Sequence, residues 1–523
     1  MEDFMPRFKA GESRNQMVLF PETINDYIPD GHLAKLVLTI VSSLNIDKII
    51  SKFSNIGQRA YSPKLLLSII FYGYSIGVRS SRKLSKACEE RVDFMYLTKK
   101  LCPSHKTISE FRRENLSELS GLFQEIILIG IKLEVVKIGN IKLSIDGTKI
   151  RANASGKLSK DEQGLEKLLS EVKEKVAGIM KEAEDIDQKE DLEFGSKRGD
   201  ELPKELKQLE VRKEKIKNAI QELKKEKAKL KNDLLEKKIK NGKKGILSKT
   251  EEKKVKNKKI NMTDYDANYM KEREGCIKTN YNAQASVDEE NQFTCDLQVI
   301  VACDVTTECN DNLKVTRKKQ LIPMVKQSEE NLEAKIDICK ADSGYHSGDN
   351  LAKMSENQIE VLIDDPSKQR VDNDNFKYDK VNFKYNPDTD SYICPEGKVL
   401  NLISSTKEKN TYKCKECKGC PAKAECTKKA KYKLLSRSKH EHLIEKNRAE
   451  LISDEGRKEY QKRMHTVEPV FGNIKFNLGF RYFLVRTIAK VKGEFNLMCI
   501  VHNIKKIATY CDKHAINLDD CLT

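Results

Sequence analysis

Three acidic residues, far apart in the chain, stand in settings that suit metal-assisted chemistry. Asp146 lies in Lys142-Leu-Ser-Ile-Asp146-Gly-Thr148 and Asp342 in Cys339-Lys-Ala-Asp342-Ser-Gly-Tyr-His346. Glu468 lies in a helix-like run from Tyr460 to Lys475. Two Asp at strand ends and a Glu on a later helix are the donors needed to hold a pair of Mg²⁺ ions. Such a pair clamps the attacking and leaving oxygens of a phosphodiester. On a helix, Glu468 and Lys475 are seven residues apart and share a face. His465 and Phe471 flank Glu468, and Tyr460 and Arg463 lie one to two turns earlier. A carboxylate among Arg, His and Lys stays ionised, and the basic neighbours can hold phosphates beside a scissile bond. Each stretch alone also has a plainer reading. Asp-Gly after a strand commonly makes a turn, and a Glu among cations commonly makes a surface ion pair.

A second set of reactive side chains is crowded into one segment. Of fifteen cysteines, five fall at Cys394, Cys414, Cys417, Cys420 and Cys426. Cys-x-x-Cys spacing suits a tetrahedral thiolate site, and structural zinc sites take four ligands. Cys394, Cys417, Cys420 and Cys426 are the expected Zn²⁺ ligands, with Cys414 the outlier; the plainer reading is a set of free or redox-active thiols. The other cysteines are scattered as small hydrophobes.

The elements that must position these groups can be read from periodicity. Leu33 to Leu133 reads as helical throughout, with Ser62-Pro63 starting one helix and Ser104 or Thr107 capping another. That last helix ends in Arg112 and Arg113, and short helices with basic ends fit a helix-turn-helix-like DNA-binding module. A plain helical packing domain is the alternative. Ile141–Asp146 alternates as a strand, with Leu143 and Ile145 on one face and Lys142, Ser144 and Asp146 on the other. Gly147 then lets the backbone turn.

Leu165, Leu169, Val172, Val176, Ile179, Ala183 and Ile186 form one heptad run. Leu202, Leu206, Leu209, Ile216, Ile220, Leu223, Leu230 and Leu234 form a second, with Lys213 and Lys227 in its seam. The loop 194–203 between them makes an antiparallel hairpin the simplest arrangement. The Lys-dense tail 237–259 reads as a mobile solvated segment that can also touch DNA phosphates. Strands are expected at 281–287, 293–303, 335–342 and 359–363, with helices at 312–334, 349–357 and from about Ile444. A mixed α/β sheet with helices on its faces fits that order.

The 523 residues imply several domains. Boundaries are expected at 1–135 for the helical DNA-binding domain and 136–510 for the catalytic domain. Insertions are expected at 160–260 (hairpin) and 366–445 (cysteine-rich), with a tail at 511–523. A net charge of +17 favours a polyanionic partner such as nucleic acid, or else marks a Lys-rich solvated surface. No apolar run approaches the ~20 residues of a membrane span. The start lacks the layout of a signal peptide, so a cytosolic protein is expected.

Taken in order, these blocks resemble the insertion-sequence transposases of the DDE type. The resemblance is to those with a Tyr-Arg-Glu-Lys signature around the last Glu (the IS eleven-eighty-two and IS four-like groups). It is carried by Asp146-Gly-Thr, Tyr281-Asn-Ala-Gln, Lys340-Ala-Asp342-Ser-Gly-Tyr, Val467-Glu468-Pro-Val-Phe-Gly-Asn-Ile-Lys475, Gly479–Arg486 and His502-Asn-Ile-Lys-Lys506. It implies a ribonuclease-H-like α/β catalytic domain preceded by an all-α N-terminal domain; the coiled-coil hairpin and the cysteine-rich zinc knuckle, read above from heptads and cysteine spacing, are then insertions in that catalytic domain. It implies Asp146, Asp342 and Glu468 as the ligands of two Mg²⁺ (or Mn²⁺) ions. It also implies that Tyr460, Arg463 and Lys475 contact DNA at the cleavage site. Arg463 departs from the signature: four residues, not three, separate it from Glu468, a shift of ~100° around the helix.

The partners implied are terminal inverted repeats and target DNA, handled by a homodimer or larger synaptic multimer in the bacterial cytosol, at the nucleoid. Two other functions share these features. One is a nuclease of the same fold that cleaves without joining; the other is a non-catalytic transposase-derived DNA-binding regulator.

Overall fold

A computed structural model of the chain describes residues 23–53, 59–194, 204–240, 245–272, 275–289, 297–307, 313–427 and 430–522. The chain divides into two units: the described residues up to Arg112 together with those from Ala515, and residues 113–514.

In the first unit, helices α1 (Leu33–Ser43), α2 (Asp47–Ile50), α3 (Pro63–Ser75), α4 (Ser81–Glu90), α5 (Val92–Thr98) and α6 (His105–Glu114) pack with a closing helix, Leu518–Leu522. Helix α3 is apolar on nearly every side and buries Leu66 through Ser75. Gly73 is required there, because a Cβ would lie 2.2 Å from Leu84 of α4. Ser104 caps α6 by accepting from Thr107 N–H at 3.2 Å. The cationic end of α6 is not free as its sequence suggests. Arg112 donates to the Tyr74 hydroxyl at 2.7 Å and to the Arg79 carbonyl at 3.1 Å, so it braces the unit. Arg113 is exposed beside Glu114.

The second unit is built on a mixed sheet. After α7 (Leu119–Lys132), β1 (Lys142–Arg151) runs antiparallel to β5 (Ile277–Asp288) and parallel to β7 (Ile338–Ala341), which is parallel to β8 (Glu360–Ile363). The far edge of β5 is shared by β4 (Asn268–Lys271) and β6 (Ile300–Thr306). Four strands joined by antiparallel ladders (β1, β4, β5, β6) and two parallel ones (β7, β8), with β1 central, fit a ribonuclease-H-like domain. The stretch 290–296, read as loop and strand start, lies outside the described residues.

Between β1 and β4 the chain makes a long excursion. It leaves through β2 (Ser159–Lys160) and returns through β3 (Ile260–Asn261), which pair with each other. Helices α8 (Glu162–Phe194) and α9 (Lys204–Lys240) pack on one another, burying Leu165, Val172, Val176, Ile216, Ala219 and Leu223. Their direction is antiparallel, since Lys227 late in α9 meets Glu162 at the start of α8 at 2.7 Å. That pair also explains how a lysine tolerates a seam position. The loop 195–203 and the side chains of Ala183, Ile186, Leu202 and Leu206 lie outside the described residues.

Much of the Lys-dense tail is ordered, unlike its reading from sequence. Helix α10 (Lys249–Lys256) starts with a capping box between Ser248 and Glu251, and Lys238 pairs with Glu251. The capping box and the Lys238–Glu251 pair thus belong to an ordered part of a tract that composition marks as solvated.

Helices α11 (Leu313–Leu332), α12 (Gly348–Glu356), α14 (Glu441–Ile452), α15 (Asp454–Gly472) and α16 (Ile488–His514) surround the sheet. Between β8 and α14 stands a separate five-stranded sheet, β9 (Lys384–Asn386), β10 (Ser391–Ile393), β11 (Val399–Ser405), β12 (Lys409–Cys414) and β13 (Leu434–Ser438), with the short α13 (Lys423–Thr427). The single helix expected from Ile444 is two, because Ser453 ends α14 and caps α15 by accepting from Gly456 N–H.

Strand β1 also departs from the sequence reading. Asp146-Gly147 is no turn, and the strand runs on to Arg151. Gly147 serves a different purpose: a Cβ there would lie 2.3 Å from Gln284 Nε2, and Gln284 is hydrogen-bonded to the buried Tyr345 hydroxyl. Gly147→Ala should therefore cost about 1–3 kcal/mol by overpacking, read as a lower urea midpoint. Truncating Gln284 in the same chain should remove most of that increment, since neighbouring substitutions do not add.

On α16, His502 is fully buried between Asn473 and the Gln298 carbonyl. Burial pushes its pKa down from 6.5 to about 3. The unfolded chain takes up this proton first, so His502 contributes stability above pH 6.5 that is lost as pH falls toward 3. Urea midpoints measured across that range should decline less steeply in His502→Gln than in the wild type.

Candidate active site

Strand β1 pairs with β7 only from Lys142 to Ile145, opposite Ile338 to Ala341. Asp146 is the first residue of β1 past that ladder, and Asp342 the first residue after β7. The two carboxylates thus stand side by side where a parallel ladder opens, at the carboxyl end of its strands, the usual ligand position in α/β sheets. Asp342 accepts from Gly344 N–H at 2.9 Å and thereby starts the turn 343–345. Asp146 accepts from Gly147 N–H at 2.7 Å.

Helix α15 lies over this face of the sheet. Arg463 is buried, and its Nη2 is 3.0 Å from Asp146 Oδ2. Burial opposes its charge, but Asp146, then Tyr460 and Asp342, outweigh that and raise its pKa. Arg463 Nε has no hydrogen-bond partner among the described residues. Tyr460 reaches the Ala341 carbonyl at 3.4 Å, with Lys368 over its ring. Burial raises its pKa, as do Asp364, Asp342 and Asp146, so it stays a neutral phenol. Lys475 sits in a π-helical turn, Asn473–Asn477, and donates to Thr148 of β1. Such turns re-aim side chains within a helix.

Glu468 is placed differently. Five residues on an α-helix rotate about 140°, so it leaves the face that carries Arg463 and is exposed. The next residue, Pro469, lacks the N–H that would bond the His465 carbonyl, and Gln298 supplies that donor at 3.1 Å. The helix therefore continues through the proline. Asp146, Asp342, Arg463 and Tyr460 are brought together, Lys475 reaches the same strand, and Glu468 stands on the adjoining open face.

A charged layer beside the two aspartates was missed in the sequence. Lys340 is wholly buried and bonds Glu289 and Glu459 of α15; Glu459 also meets Lys142 at 3.2 Å, and Ser144 bonds Glu289. Burial opposes ionisation of Glu459, but Lys340, Lys462 and Lys142 hold its pKa down at about 2. Glu459 thus ties both Asp-bearing strands to the helix bearing Arg463. The signal was present as period-two polarity: Lys142, Ser144 and Asp146 on one strand, Lys340 and Asp342 on the next. Central parallel strands are ordinarily apolar on both faces.

The donor chemistry fits a hard divalent cation, since two carboxylates on adjacent strands offer only oxygens. Among the described residues no three His, Cys, Asp or Glu are already gathered as a metal cluster. All five clustered cysteines line one small cavity beside the second sheet.

Residues 393–508 match a family model described as a transposase DDE domain, and residues 22–114 match one described as a transposase domain (DUF772). These two segments are similar to transposase domains. The matches support a DNA transposase in general, and a DDE domain points to an enzyme that cleaves and moves DNA. DDE transposase domains generally use divalent metals such as Mg²⁺. The first match contains Glu468, Lys475 and the cysteines but neither Asp146 nor Asp342. No curated protein and no solved structure matches the chain. Among the described residues no helix is long and apolar enough to cross a membrane.

Proposed function

We propose that the chain is an insertion-sequence transposase that cleaves the ends of its element and joins the 3′-OH ends to target DNA. The adjacency of Asp146 and Asp342 at the open end of the β1–β7 ladder, faced by Arg463, carries this reading. Asp146, Asp342 and Glu468 would hold Mg²⁺ or Mn²⁺. Two such ions lower the pKa of an attacking water and stabilise a leaving 3′ oxygen.

The protein's own groups do the rest. Asp146 and Asp342 supply fixed anionic oxygens from rigid strands. Arg463 neutralises Asp146, and its buried Nε–H has no hydrogen-bond partner among the described residues. Lys475 and Tyr460 border the same strands, where they can contact DNA phosphates. Exposure of Glu468 suits a group that completes the site when DNA and metal arrive. The helical unit would bind terminal inverted repeats through exposed cations such as Arg113, and the α8–α9 hairpin would serve contacts between protomers in a dimer or larger synaptic assembly. The membership of the IS eleven-eighty-two and IS four-like groups and a place at the nucleoid belong to the same reading.

The test is incubation of the protein with Mg²⁺ and DNA carrying the element's terminal repeats. Strand transfer that disappears in Asp342→Ala supports the transposase. Cleavage without joining makes it a nuclease of this fold, and binding alone makes it a regulator.

A further inference from the structure

The proposed reaction leaves the cysteine cluster without a role. Cys394, Cys414, Cys417, Cys420 and Cys426 come from four separate pieces of chain: the end of β10, the end of β12, the turn after it, and α13. All five line a single cavity of about 20 Å³. A cavity of that size has room for a water-sized occupant.

The backbone around the sulfurs is shaped in a matching way. Cys394 and Cys417 each open a tight turn, closed by Gly397 N–H to the Cys394 carbonyl at 2.8 Å and by Cys420 N–H to the Cys417 carbonyl at 3.4 Å. Gly397 and Gly419 hold φ of +75° and +86° in these turns, a conformation that strongly favours glycine. The folded-back chain aims main-chain donors at sulfur: Lys398 N–H lies 3.2 Å from Cys394 Sγ, and Lys433 N–H 3.4 Å from Cys417 Sγ. Hydrogen-bond donors of this kind orient ligating side chains at metal sites.

The surrounding core is small. It consists of Phe383, Tyr392, Leu400, Tyr412, Cys414, Cys417 and Leu435, so two of its seven buried members are themselves cysteines. None of the five is in a disulfide. A sheet with so little apolar content needs a staple.

We propose that this cavity is a structural site for one thiolate-seeking divalent cation of the zinc class, held by Cys394, Cys417, Cys420 and Cys426. Four thiolates in a tetrahedron suit a borderline-soft d¹⁰ ion and exclude Mg²⁺, which takes oxygen ligands. The sulfurs line the cavity without already closing on one point among the described residues, so binding the ion requires rotation about their Cα–Cβ bonds. Cys414 is set apart by its position: of the five it alone lies within a strand, at the end of β12 opposite Leu400. The site is independent of the aspartates, and its metal holds the five-stranded sheet together rather than taking part in DNA cleavage.

The experiment is metal analysis of the full-length protein purified under reducing conditions and dialysed against Zn²⁺, then against Co²⁺. About one tightly held ion per chain is expected, with the thiolate-to-cobalt charge-transfer and visible bands of a tetrahedral sulfur site. Cys420→Ser and Cys426→Ser should lose the bands and the ion, and hydrogen exchange should accelerate in β10–β12. Cys414→Ala should keep both. Should a chain carrying either of these serine substitutions lose its fold altogether, peptide-level exchange of wild type with and without chelator gives the same answer, since only β9–β13 should respond. Retention of the ion in the Cys417→Ser/Cys420→Ser double variant, loss of it in Cys414→Ala, or a disulfide among the five in the native chain overturns the proposal.

Discussion

Asp342→Asn is expected to reduce Mg²⁺-dependent cleavage of terminal-repeat DNA by at least about 10²–10³-fold, the usual loss when one preorganised electrostatic group is removed from a reacting centre. Asparagine is the informative replacement. It keeps an oxygen that can accept from Gly344 N–H at the start of the 343–345 turn, so the local backbone retains its cap while the anionic charge is lost. Asp342→Ala removes the cap as well, at a further cost of about 1 kcal/mol in stability. Equal loss of cleavage in both variants, with a lower melting temperature only in the alanine, assigns the effect to charge. Cleavage that survives in the asparagine variant would remove Asp342 from the reaction. The corresponding Asp146→Asn should differ in stability. There the buried Arg463 guanidinium loses its 3.0 Å partner, and an uncompensated buried charge destabilises by about 3–5 kcal/mol.

Lys340→Met is expected to destabilise the second unit by about 3–5 kcal/mol, although it replaces a charged side chain by an apolar one of similar length. Lys340 has no exposure, and its partner Glu289 is almost as deeply buried. Removing the cation leaves Glu289 an unpaired anion beneath the sheet. Glu459 keeps Lys142 and Lys462 and is less affected. Adding Glu289→Gln to Lys340→Met should therefore recover a large part of the loss, because a buried pair replaced at both ends is often neutral. Denaturant midpoints of the two single variants and the double variant give the coupling. Equal and additive losses would mean that the pair is not electrostatically linked.

The sequence made the order of elements legible because β1, β7 and β8 carry strong local signals, and because heptads announce α8 and α9 without tertiary information. The two aspartates stood out for a related reason: a short alternating run leads up to each, although Asp146 proves to lie inside β1 and only Asp342 follows its strand. What could not be read were properties decided by crossings. Gly147 looks like a turn residue, and only the passage of Gln284 over it explains its presence inside a continuous strand. Arg463 looked displaced by one position from a signature, yet its place opposite Asp146 depends on how α15 lies across the sheet, which no spacing within the helix reveals. Glu468 was assigned to the same face as Lys475 by simple helical counting, but a π-helical turn at Asn473–Asn477 intervenes. Arg112 read as a DNA contact because a terminal arginine on a short helix is ordinarily solvated. Its actual partners, Tyr74 and Arg79, come from more than thirty residues earlier.

The short β2–β3 ladder has a consequence for how the sheet can assemble at all. Lys160 stands opposite Ile260, and the chain between them folds back on itself along α8 and α9. Closing a disordered segment costs an entropy that rises with the logarithm of its length, about 0.6 kcal/mol for each doubling. Here that cost is met by contacts internal to the excursion, which can form before any strand of the main sheet has found its neighbour. Kinetically, residues 160 and 260 then behave as adjacent positions in the chain, and β1 meets β5 across a short effective separation. The hairpin is to that extent a removable cassette: a tight two-residue turn joining Lys160 to Ile260 would bridge the same gap.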